Sequence, residues 1–336
     1  MKPLLTRSRY RMWIAVYVLG WLAVLLSAPW IGGESLDVRF SFLHSPGNAH
    51  SVDLDILLYQ RIPRVLLAAL VGGALAVVGA CFQVILRNPL AEPYTVGISG
   101  GCSLGAVIAL TVPALGFSWG PFSGVQFFSL LGAAATLGFI HRLADRPEGT
   151  SSNTLLLAGV TVTILCGSLI LFFRYWAGPH YLIAMDRWMM GGLEVVGYRE
   201  LSVLLPFLLP GLGLLFSCRT ELNHLALGEE MAAGHGVDVA SVQQRIFWGG
   251  GLATAGVVSL AGPIGFVGLI VPHAVRRLSG FDHRVVLPAS FFLGGAFLTL
   301  CDTLARVLVY PTEIPVGIIT ALVGGPIFIR ILLMKK

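Results

Sequence analysis

Apolar residues in this chain run in long, nearly continuous stretches separated by short polar breaks. Ten such stretches stand out: residues 13–30, 62–86, 94–110, 122–140, 155–173, 201–218, 246–261, 265–278, 285–307 and 315–333. A helix needs about 20 apolar residues to cross the hydrocarbon core of a bilayer. Most of these stretches meet or approach that length. Backbone groups in hydrocarbon have no water to bond, so each stretch is expected to be helical. The stretches lack the alternation of a membrane barrel. The pattern predicts an all-α polytopic membrane protein with ten transmembrane helices, built as one domain over residues 1–336. The eighth stretch is short. Were residues 246–278 a single bent helix, the span count would become odd.

Composition agrees. The 336 residues are 56% hydrophobic and 12% charged, against about 25% charged in soluble chains. Disorder and a disulfide-stapled secreted domain are excluded. The five cysteines (Cys81, Cys102, Cys166, Cys218, Cys301) lie in or at the ends of apolar stretches, with no CxxC. They are expected to be free and buried, with neither disulfide nor metal site. The basic N-terminus with its apolar run could be read as a signal peptide. Ser27-Ala28-Pro29-Trp30 is a poor cleavage site, however, and a retained span is expected. With the N-terminus inside, fifteen Lys and Arg fall in inner loops against seven in outer ones. That bias puts both termini in the cytoplasm.

Three places break the apolar pattern. Between spans 2 and 3, Arg87-Asn88-Pro89-Leu90-Ala91-Glu92-Pro93 carries two prolines that stop one helix and start the next. Between spans 6 and 7, the longest inner connection runs from Arg219 to Arg245. Leu222, Leu225 and Leu227 alternate with polar residues, Gly228 interrupts, and Glu229, Glu230 and Met231 follow. Two short amphipathic helices joined at Gly228 are expected, about residues 220–238, with the glutamates at the second helix's N-terminus. The segment has no basic residue on its polar face, which favours a protein partner over a membrane surface. Thirdly, Arg61, Arg64 and Arg306 run against the charge bias at the outer ends of spans 2 and 9. They are read either as headgroup contacts or internal ion pairs, Arg306 with Asp302 four residues earlier, or as a docking site for an acidic partner. Glycines at 97, 101 and 105 are spaced for close helix contact.

Catalytic signatures are missing. The lysines are Lys2, Lys335 and Lys336, so no Walker-type lysine exists in the body of the chain, and neither HExxH nor GxSxG occurs. Intramembrane acids are nearly absent, Asp302 being the clearest case, which disfavours an ion-coupled secondary transporter. No cofactor is called for, and energy for uphill transport is expected from a separate subunit.

Several segments together resemble one family. RNPLAEPYTVGISGG (residues 87–101), LLLAGV (155–160), WMMGG (188–192), LALGEE (225–230), GPIGFVGLIVPHAVRRLSGFDHR (262–284) and IPVGIITALVGGPIFI (314–329) are similar, in order and spacing, to the FecCD family. These are permease subunits of bacterial type II ABC importers for cobalamin, haem and iron–siderophores. The resemblance implies a homodimer in the inner membrane, two ATPase subunits beneath it, a periplasmic binding protein and a metal-chelate substrate. No nucleic-acid partner is implied. It also implies ATPase coupling through Leu222, Leu225, Leu227, Gly228, Glu229, Glu230 and Met231, and binding-protein docking on Arg61, Arg64 and Arg306. A cytoplasmic gate would fall at Ser151, Ser152 and Asn153, where the last two depart from the family's expected hydroxyl pair. Span 5 would line the path, with Thr161, Thr163 and Ser168 as its polar residues. Tyr175, Trp176, His180 and Tyr181 could suggest an aromatic cargo, although aromatics gather at membrane interfaces in any case.

Overall fold

A computed structural model describes residues 7–32, 52–120, 122–144 and 152–333. Each of the ten apolar stretches is a helix. In chain order they are α1 (Arg7–Ser27), α3 (Ile62–Ile85), α4 (Ile98–Thr111), α5 (Gly124–Ala144), α6 (Ser152–Trp176), α8 (Arg199–Ser217), α11 (Val239–Ala261), α12 (Val267–Ser279), α13 (His283–Val307) and α14 (Val316–Leu333). Shorter helices lie between them: α2 (Val52–Ile56), α7 (Pro179–Met189), α9 (Glu221–Leu225) and α10 (Glu229–Gly234). A two-residue β-ladder, β1 (Ser118–Trp119) with β2 (Phe122–Ser123), closes the α4–α5 connection. Among the described residues, six helices reach the length and mean hydropathy of a full membrane span. All five cysteines are free and buried.

The bundle is organised around α3, which is buried over most of its length, whereas α1 and α6 are largely exposed. Small residues make this possible. A Cβ on Gly72 would lie 2.3 Å from the Gly294 carbonyl, and one on Gly79 would lie 2.0 Å from the Gly268 carbonyl. Backbone therefore meets backbone between α3 and both α13 and α12, the close approach that small residues permit in membranes. The glycine row of α4 does the same against α5: a Cβ on Gly105 would sit 1.9 Å from the Phe128 carbonyl. Helix α1 packs on α13 through Trp21 and Phe292, ring centroids 5.4 Å apart.

Two helices are only half-length. At 1.5 Å per residue, α4 and α12 extend about 20 Å each, short of the ~30 Å core. Both start inside the bundle. The turn before α4 reaches Thr163, whose hydroxyl donates to the Tyr94 carbonyl at 3.2 Å, about halfway along α6. Gly97 then takes φ 86° and α4 begins at Ile98. The expected start of span 3 at Tyr94 is therefore four residues early: the chain first uses those residues to turn. Helices α11 and α12 are separate rather than one bent helix. Gly262 and Phe266 adopt φ 64° and 69°, and the intervening segment enters the bundle before Val267. The two entering segments meet where the Glu92 carboxyl accepts a hydrogen bond from the backbone of Phe266.

Candidate docking, coupling and path surfaces

The three outer arginines converge at one end of the bundle, where α3 begins and α13 ends. Asp302, fully buried, is the centre. Arg64 grips it with Nε at 3.0 and 3.1 Å and Nη2 at 2.9 Å, and Arg306 Nε lies 3.2 Å from its other oxygen. The i,i+4 pair read from sequence is thus present, and Arg64 joins it from α3. Arg64 also reaches outward, with Nη1 2.6 Å from Glu313, which is half exposed. Arg61 Nη1 donates to the Pro29 carbonyl at 3.2 Å, and Arg306 Nη2 donates to the Ala28 carbonyl at 3.4 Å. These bonds tie the end of α1 to α3 and α13. Arg61 and Arg306 are 8% and 6% exposed; Arg306 fits the internal ion-pair reading, while Arg61 is held by a buried backbone carbonyl. The part of this cluster that reaches the surface is the Arg64–Glu313 edge. Glu313 was not singled out in the sequence. Its place two residues before Pro315, in the turn from α13, was the available signal.

At the opposite end, the connection between α8 and α11 forms the two short helices expected. Gly228 separates them with φ 127° and ψ 151°, and Glu229 and Glu230 occupy the first turn of α10. The apolar residues expected to meet a protein partner divide between two surroundings. Leu222 and Leu225, three residues apart on α9, share one face and are buried against the bundle, while Leu227 and Met231 are exposed. The alternation seen in sequence thus becomes a helical stripe that roots the segment. Glu229 is fixed from two sides, by Arg87 at 3.5 Å and by Gln243 Nε2 at 3.3 Å. Asn223 is fixed as well: its side-chain amide donates to Asp282 at 3.0 Å and its oxygen accepts the His283 backbone N–H at 2.8 Å. A cavity of about 510 Å³ lies over this end, lined by Arg87, Pro89, Leu227, Gly228 and Phe281 among others. Residues from three connections, 86–97, 218–238 and 280–282, therefore build one surface. Phe281, strongly exposed on its rim, was missed because an isolated loop aromatic carries no periodic signal.

Of the gate residues, Ser151 lies outside the described residues, and α6 begins at Ser152 and Asn153. Higher on α6, Thr161 and Ser168 are exposed, on a stripe with Leu157, Ile164, Leu165 and Phe172. Each hydroxyl bonds back into its own helix, Thr161 to the Leu157 carbonyl at 2.8 Å and Ser168 to the Ile164 carbonyl at 3.0 Å. Thr163 is not on this stripe; it is half-buried and holds the Tyr94 turn. Tyr175 and Trp176 are exposed at the end of α6, and His180 and Tyr181 stand edge to face at 5.5 Å on α7.

The order of these features along ten helices can be compared with known proteins. The FecCD transport family matches residues 18–335. The chain belongs to that family. The uncharacterized ABC transporter permease protein YvrB of Bacillus subtilis (strain 168) is 40% identical over 87% of this chain and 82% of its own length. The hemin transport system permease protein HmuU of Yersinia pestis is 36% identical over 95% of this chain and 96% of its own. The cobalamin import system permease protein BtuC of Halobacterium salinarum is 43% identical over 81% and 72%. A solved structure described as an inward-facing metal-chelate type ABC transporter superposes with TM-score 0.83 at 29% identity, covering 97% of this chain and all of that one. The fold is therefore that of a type II ABC importer permease, and the FecCD chain is a multi-pass membrane transport subunit.

Proposed function

We propose that two copies of this chain form the membrane pathway of an ATP-driven importer for a metal chelate of the haem, cobalamin or ferric-siderophore class. Its named relatives include a hemin and a cobalamin permease, which supports that class. Both termini are cytoplasmic, in the bacterial inner membrane. A substrate-loaded periplasmic protein docks on the end bearing Arg61, Arg64 and Arg306. Arg64, whose Nη1 reaches the surface beside Glu313, offers the guanidinium edge that such a partner would meet. Two ATPase subunits grip the other end at Leu227, Gly228 and Met231, with Phe281 beside them. Nucleotide-driven movement there passes into α11 through the Glu229–Gln243 contact and alternates access at the gate near residues 151–153.

The observation that carries this reading is the exposed Leu227–Met231 edge, rooted by buried Leu222 and Leu225, in a FecCD permease. Its test is purification from native membranes. The wild-type chain is expected to bring down an ATP-hydrolysing subunit, and the complex to take up chelate into proteoliposomes with ATP. Leu227→Asp with Met231→Asp is expected to release that subunit. Uptake by the chain alone, driven by an ion gradient, would instead establish a secondary carrier. Asp302 itself is unsuited to an ion relay, because two arginines hold it.

A further inference from the structure

The cavity of about 510 Å³ at the coupling end carries a charge that the two short helices do not answer. Two guanidinium groups line it, those of Arg87 and Arg276, and no carboxylate does. Arg87 is exposed and has its counter-charge in Glu229 at 3.5 Å. Arg284, next to the lining residue His283, has Asp282 at 2.7 Å. Arg276 differs from both. It sits half-buried in the last turn of α12. Among the described residues its hydrogen-bond acceptor is Gln83 Oε1, and it forms no ion pair. The C-terminal end of a helix favours a cation, but with only about half a unit of charge, which does not neutralise one.

The guanidinium is also held in place. Gln83, buried on α3, donates from Nε2 to the Gly268 carbonyl at 3.0 Å. That bond turns its Oε1 toward Arg276, which donates to it from Nη2. One acceptor leaves most of the five guanidinium donors open. A fixed planar fork with open donors matches a carboxylate, which takes two parallel hydrogen bonds from it. The rim points to the source of that carboxylate. Leu227 and Phe281 are strongly exposed and make an apolar edge around the charged wall. A partner covering this edge excludes water, and a guanidinium left unpaired beneath it would be strongly unfavourable. The same edge is the one assigned above to the ATPase subunits, and the inference rests on that reading. We propose that Arg276 receives an aspartate or glutamate side chain of the ATPase subunit, inserted into this cavity between Leu227 and Phe281.

The assembled complex, purified from native membranes and held in nanodiscs, tests this. Arg276→Gln is expected to weaken ATPase binding by about tenfold or more, as loss of one partner of a desolvated charge pair does, and to flatten its dependence on salt. Arg276→Lys keeps the charge and supplies a reactive amine. The native lysines are Lys2, Lys335 and Lys336, so a carbodiimide, which joins an amine to a carboxylate in contact with it, reads position 276 against a quiet background. A linked peptide joining position 276 to an ATPase Asp or Glu is expected. This second readout stands even if Arg276→Gln fails to fold. Unchanged affinity and salt dependence in Arg276→Gln would overturn the contact. So would an Arg276→Lys complex that forms but gives no link, or links only to acids of this chain such as Glu229. A wild-type chain that retains no ATP-hydrolysing subunit would overturn the function proposed above together with this contact.

Discussion

A buried charge is tolerated only when its partners are fixed, and Asp302 shows how this chain arranges that. Its carboxylate carries no exposure and answers two arginines from α3 and α13. Replacing one member of such a group leaves the rest uncompensated, at a cost of about 3–5 kcal/mol. Asp302→Asn is therefore expected to lower the thermal midpoint in detergent sharply. Asp302→Asn with Arg306→Met is expected to lose less than the sum of the two single changes; additivity would show that the pair is not coupled. A milder case lies at the other end. Burial alone would raise the Asp282 carboxyl, but hydrogen bonds from the Arg284 side chain and backbone and from Asn223 outweigh it and hold the group below the usual carboxylate range. A depressed folded pKa stabilises above the unfolded value, and that contribution disappears as pH falls through the folded one. The loss of stability below about pH 4 is expected to flatten in Asp282→Asn; an unchanged acid limb in a melting series would refute that contribution. In sequence, Asp302–Arg306 was visible because helical spacing brings i and i+4 together. Arg64 and Glu313, 249 positions apart in sequence, were not linked, because no periodicity connects spans 2 and 9.

Helices are the level at which the sequence spoke most clearly. Continuous apolar stretches located ten helices, although the span-2 helix begins ahead of the expected Ile62, running from Val52 through a π turn at Leu57–Arg61 into α3. What hydropathy did not convey is depth. Whether a helix crosses the core or starts inside it depends on backbone turns, here at Gly97 and Phe266, and an apolar count is blind to them. Amphipathic α7 was likewise missed, since its mixed surface reads as loop beside membrane spans. Glycine spacing did foretell close contact, and its strength can be measured. Gly79→Ala would drive a methyl into the Gly268 carbonyl, an overpacking that costs about 1–3 kcal/mol or more. Gly138→Ala on α5 meets nothing within 4 Å and is expected to leave the melting temperature unchanged or slightly raised, by helix propensity. Equal behaviour of the two variants would remove close packing as the reason for the glycine at position 79.

On the scale of the whole molecule, α6 is the element whose surroundings are least explained by one chain. Leu157, Ile164, Leu165 and Phe172 project outward together with Thr161 and Ser168. Lipid alone would be satisfied by an apolar stripe. The two hydroxyls bond internally, so they cost little when dry yet remain available to water. A pathway between two copies needs that property: walls that wet when the path opens and hold a large chelate without strong bonds when it closes. The five native cysteines are buried, which gives a quiet background for a labelling experiment. Thr161→Cys and Ser168→Cys, in intact membranes, are expected to react with a membrane-impermeant maleimide, because thiolate forms only where water reaches. Reaction should change on adding ATP to the assembled transporter, as access passes from one side to the other. Phe139→Cys, exposed on the flank of α5, is expected to stay unreactive because it faces hydrocarbon. If Thr161→Cys and Ser168→Cys are as inert as Phe139→Cys in every nucleotide state, α6 faces lipid and the conduit must run elsewhere in the bundle.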